Sequence, residues 1–125
     1  MKTTHIFYGL LVISSIQFGI VGLLKIVGYV PLYQQLTELH ISPSLGLFIG
    51  ITEVLGVIGL WLPSTRKWAL IGLLYLSVSA IAIHFGAAVP LYKALPAIIS
   101  TLFLATQLYL SNLLATNSSE SPAAD

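Results

Sequence analysis

Three ionisable side chains stand inside long apolar stretches of the 125-residue chain: Lys25, Glu53 and His84. A charged group alone at mid-bilayer costs roughly 2.5 to 3.5 kcal/mol, so such residues turn toward a protein interior and pair. A cation, a carboxylate and an imidazole together can donate and accept hydrogen bonds, orient a small polar ligand or pass a proton. Each also has a plainer explanation. Lys25 lies a few residues from the end of its apolar run and could snorkel to the headgroups. His84, near an interface, could be a neutral, internally bonded residue. Glu53 sits too deep to snorkel, so it is either neutral or has a basic partner.

Other chemistries find no motif. The chain has no cysteine, which removes thiol-disulfide exchange, thiolate zinc sites and Cys-held iron-sulfur clusters. It has no His-Glu-x-x-His, no glycine-rich phosphate loop, no nucleophile elbow and no histidine pair at metal spacing. Haem would need axial ligands such as His40 and His84 facing each other, which the sequence permits without indicating. A formal charge of +1 leaves no basic stripe for nucleic acid.

The elements that must position the three residues follow from composition. The chain is 57% hydrophobic and 7% charged, where a soluble domain carries about a quarter charged residues, so its solvent is lipid. Apolar segments fall at about 6–28, 45–62, 68–85 and 95–114, each near the ~20 residues that cross a bilayer. The first is too long for a signal peptide and lacks a small-x-small cleavage site, so it reads as a retained helix. Residues 29–43 mix apolar and polar side chains and are expected to lie along the interface. The fold expected is all-α: a four-transmembrane-helix bundle over 1–115 with a short interfacial segment between the first two spans. Residues 116–125 are expected to be a disordered polar tail.

Lys2, Arg66 and Lys67 share one side of the four crossings and Lys93 the other, which predicts cytoplasmic N- and C-termini in a multi-pass cell-membrane protein. Tyr29, Tyr33, Trp61, Trp68 and Tyr92 fall near span ends, where they read as interface anchors. In this orientation Lys25 and His84 lie near the outer ends of their spans and Glu53 roughly 12 Å below the outer start of its own. A long lysine stem can reach it, so all three could share a polar pocket in the outer half. Gly46, Gly50 and Glu53 form one stripe, as do Ser77, Ala80 and His84, and Gly22, Lys25 and Gly28. Such stripes of small residues ordinarily mark helix contacts. Gln17 and Gln107, both in the inner half, could bond one another.

The runs from Phe18 to Gly28, from Gly50 through Glu53, Gly56 and Gly59 to Pro63, and His84-Phe85-Gly86 resemble the DoxX-like family over most of the chain. The resemblance implies a four-helix membrane fold and carries Lys25, Glu53 and His84 over as functional positions. It also implies a link to quinone-dependent redox enzymes, since members resemble the membrane subunit of thiosulfate:quinone oxidoreductase. Distant relatives resemble cargo receptors and receptor-assembly chaperones. Two functions are therefore carried forward. One is a membrane subunit of a redox system with quinone as ligand and a redox enzyme subunit, or a second copy, as partner. The other is a non-catalytic assembly or binding protein. Solute passage is poorly supported by so few polar linings.

Overall fold

In the computed structural model, which describes residues 2–120, the chain is almost wholly helical, with no strand among the described residues. The elements are α1 (Lys2–Val27), α2 (Val30–Glu38), α3 (Pro43–Trp61), α4 (Arg66–Gly86), a 3-10 turn (Leu91–Ala94) and α5 (Leu95–Glu120). α1, α3, α4 and the stretch Leu91–Thr116 are long and apolar enough to cross a membrane. The protein is thus a membrane protein with several spans. α5 runs past the expected end at Leu114, with the Thr116 hydroxyl bonding the Asn112 carbonyl at 3.0 Å. Residues 121–125 of the expected disordered tail lie outside the described residues.

Local chemistry explains where the helices stop. α1 ends at Gly28, whose φ of 78° lets Tyr29 N–H return to the Leu24 carbonyl at 2.9 Å. That left-handed residue closing the last turn is the common glycine stop. Pro31 then opens α2, where a missing N–H does no harm. Ser42 caps α3, its hydroxyl accepting from Leu45 N–H at 3.2 Å ahead of Pro43. Residues 29–43 therefore hold a short helix between the first two spans.

The four long helices pack as a ring: α1 lies on α3 and α5, and α4 lies on the same two, so α1 and α4 face each other diagonally. Glycines set the closest approaches. A Cβ on Gly50 would stand 2.6 Å from Lys25 Cβ and 2.9 Å from the Gly22 carbonyl, and one on Gly56 2.7 Å from Leu73. The stripe Gly46, Gly50 and Glu53 is buried, as its spacing predicts. The half of the bundle bearing both chain ends is filled by a layer of Leu11, Leu60, Leu70, Leu73 and Leu104 with Phe18. Outward faces carry large apolar side chains such as Phe48, Leu55 and Leu102, a surface suited to hydrocarbon and unsuited to water.

Candidate functional site

α1 and α3 place the charged pair. Lys25 lies in the last turn of α1, and its Nζ donates to Glu53 Oε1 at 2.7 Å. Both residues are buried, 8% and 6% exposed. The small residues opposite them make this approach available: Gly50 stands against the Lys25 stem, and a Cβ on Gly22 would meet Glu53 Cβ at 3.2 Å. Glu53 thus has the basic partner that its depth demanded. Its second oxygen, Oε2, is buried and has no hydrogen-bond partner among the described residues.

α2 closes over the lysine. The Tyr33 hydroxyl donates to the Lys25 carbonyl at 2.6 Å, beside the 3.3 Å bond that this carbonyl accepts from Gly28 N–H. An open groove of about 470 Å³ runs beside it, lined by Lys25, Gly28, Tyr33, Pro43, Ser44 and Leu47. Lys25 is the charged member of that lining, so the buried pair has one face toward a space a ligand could enter.

His84 is placed differently. It sits in the last turn of α4, at the same end of the bundle, with Nδ1 2.7 Å from the Ala80 carbonyl. A carbonyl only accepts, so Nδ1 carries the hydrogen. The contact of Gly56 with Leu73 fixes the register of α3 against α4, which leaves His84 roughly 12 Å beyond Glu53 along the bundle. The structure brings Lys25 and Glu53 together and does not bring His84 to them, because α4 lies diagonally across from α1.

The glutamines do not bond each other. Gln17 Nε2 donates to Ser100 Oγ, and Gln107 Nε2 to Ser14 Oγ at 2.6 Å. On the α1–α5 seam each long amide meets a short hydroxyl, which fits a close helix crossing better than two amides would. Sequence reasoning missed three further features. Tyr33 read as an interface anchor, with no signal for its carbonyl contact. Arg66, read as an orientation charge, folds back so that Nε donates to the Leu60 carbonyl at 2.7 Å and the guanidinium lies 5.6 Å from the Phe7 and Tyr8 rings. Lys93 pairs with Glu38 at 2.8 Å, tying the connection before α5 to α2.

Over residues 9–106, a stretch that contains Lys25, Glu53 and His84, the sequence matches the DoxX-like family. Neither a curated protein nor a solved structure matches the chain.

Proposed function

The chain belongs to the DoxX-like family, and from that premise we propose that it is a membrane subunit of a quinone-linked redox system. The observation that carries this reading is the buried Lys25–Glu53 pair, whose lysine lines an open groove while its carboxylate keeps one oxygen unbonded. A buried ion pair contributes little to stability compared with well-packed apolar residues, so a role in binding accounts for it better than architecture does. In this reading Lys25 donates a hydrogen bond to a quinone carbonyl in the groove. Glu53 orients the ammonium and relays a proton, and the apolar groove walls receive the ring. His84 does not line this groove and has no part in this reading.

With no cysteine to ligate an iron-sulfur cluster, electrons come from a partner enzyme subunit or from the quinol. The end bearing Lys2, Arg66 and Lys67 is then cytoplasmic and the groove end, with Lys93, faces outward. A second reading draws on the position of the pair at the tightest α1–α3 approach: a non-catalytic assembly protein in which Lys25 and Glu53 fix helix register.

Thermal unfolding of the purified protein with a series of short-chain quinones separates the two. A ligand bound only by the folded state raises the melting temperature with the logarithm of its concentration. Stabilisation of the wild type that is lost in the double variant Lys25→Leu with Glu53→Leu supports the redox reading. No stabilisation by any quinone removes it.

A further inference from the structure

One hydroxyl in the interior behaves unlike its neighbours. Ser15, Thr52, Ser100, Thr101 and Thr106 each donate to the carbonyl four residues back, the usual recourse of a hydroxyl inside a helix. Ser77, only 4% exposed, departs from this, and its Oγ has no partner among the described residues. Glu53 Oε2 and, on α5, Gln107 Oε1 are the other such oxygens among the described residues. Ser77 and Glu53 belong together by register. Gly56 of α3 packs on Leu73 of α4; one turn back along α3 is Glu53, and one turn on along α4 is Ser77. Both side chains therefore lie on the facing stripes, at one level of the bundle.

We propose that Glu53 and Ser77 hold bound water in a chamber that fills only from the groove end. Orphan oxygens this deep in a lipid-surrounded bundle cannot turn to bulk solvent, and a buried water needs two to four polar partners. Here Ser77 Oγ donates or accepts, Glu53 Oε2 accepts, and the Lys25 ammonium has hydrogens beyond the one given to Oε1. Access runs along Lys25, which spans from the groove to Glu53. At the other end the path meets Leu11, Leu60, Leu70 and Leu104, all without exposed surface, at an interior density that leaves no room for a water file. The amide in that half, Gln107, is held by Ser14 and has no exposed surface either. Among the ionisable groups on the elements around it, α1 brings Lys25 to Glu53, α2 brings Tyr33 to the Lys25 carbonyl, and α4 carries His84 two turns nearer the groove end. Solvent protons therefore reach the Glu53 carboxylate from one side of the membrane.

Radiolytic hydroxyl footprinting of the protein in lipid nanodiscs tests this with water itself as the probe and no quinone present, so its outcome is separate from that of the redox reading. Radicals form where water is bound and oxidise the side chains beside it. Val57 and Leu73, one turn from Glu53 and Ser77 on the same helix faces, should be oxidised several-fold more than lipid-facing Leu55 and Leu102. Leu11 and Leu104 should stay at the lipid-facing level. Ser77→Val should lower the yield at Val57 and Leu73 several-fold, and Ser77→Thr, which keeps the hydroxyl, should preserve it. Background oxidation at Val57 and Leu73 in the wild type overturns the proposal whatever the variants do. So does an undiminished yield in folded Ser77→Val. Oxidation of Leu11 and Leu104 as strong as that of Leu73 overturns the one-sided access.

Discussion

The two seams that α1 makes are built from different materials. Against α5 it uses neutral pairs, Gln17 with Ser100 and Gln107 with Ser14. Against α3 it uses a charged pair, Lys25 with Glu53, at a crossing where Gly22 and Gly50 bring the backbones together. The neutral seam gives each glutamine N–H a hydroxyl acceptor without using charge, and leaves the Gln107 Oε1 unbonded among the described residues. The charged seam borders a groove and has a carboxylate oxygen with no partner among the described residues.

The largest effect that sharpens the contrast is expected from cutting the charged seam on one side. Glu53→Leu leaves the Lys25 ammonium buried without its partner, a loss of about 3 to 5 kcal/mol. Thermal or denaturant unfolding in detergent should register it as a severely destabilised protein. A change under about 1 kcal/mol would mean that Lys25 escapes to the groove at no cost, and the seam would then resemble a surface pair.

Gly50→Ala comes next. Its new Cβ would meet the Lys25 stem and the Gly22 carbonyl, and a carbonyl on a packed helix cannot move aside. Overpacking of this kind costs about 1 to 3 kcal/mol. The same substitution at Gly72, where a Cβ would meet nothing within 4 Å, should leave unfolding unchanged or slightly improved. Equal effects at the two glycines would deny that the α1–α3 approach is special.

On the neutral seam, Gln17→Leu with Ser100→Ala should cost about 0.6 kcal/mol, the average for a hydrogen bond between membrane helices. A loss as large as that of Glu53→Leu would erase the contrast between the seams. Smallest of all, Glu38→Gln removes the exposed partner of Lys93 and should leave the melting temperature unmoved, as exposed ion pairs usually do.

The sequence made one of these seams legible and left the other obscure, for a physical reason. A charge deep in an apolar run has few ways to exist, so Glu53 announced a partner, and its spacing from Gly46 and Gly50 announced a protein-facing side. Lys25, at the right depth on the neighbouring span, completed the pair. An amide or hydroxyl has many ways to exist. Gln17 and Gln107 were visible as polar residues, but nothing in one chain's pattern distinguishes a glutamine from a serine as partner. Ser77 read only as a small residue on a packing stripe. Depth sets His84 near the outer end with Lys25, but depth gives no information on which helices are diagonal, and α4 lies diagonally across from α1. Span boundaries differed by a few residues because polar ends such as Lys2–His5 and Thr116–Glu120 continue a helix that hydropathy alone would stop.

The central claim is that Lys25 and Glu53 are kept for what binds beside them and not for the stability of the bundle. Replacing both at once, Lys25→Leu with Glu53→Leu, measures it most directly when unfolding is followed with and without a short-chain quinone. The account predicts a double variant that melts near or above the wild type, since an apolar pair replaces two desolvated charges, and that gains nothing from a quinone that stabilises the wild type. A double variant that melts as low as the single ones, or that is stabilised by quinone as much as the wild type, would contradict it.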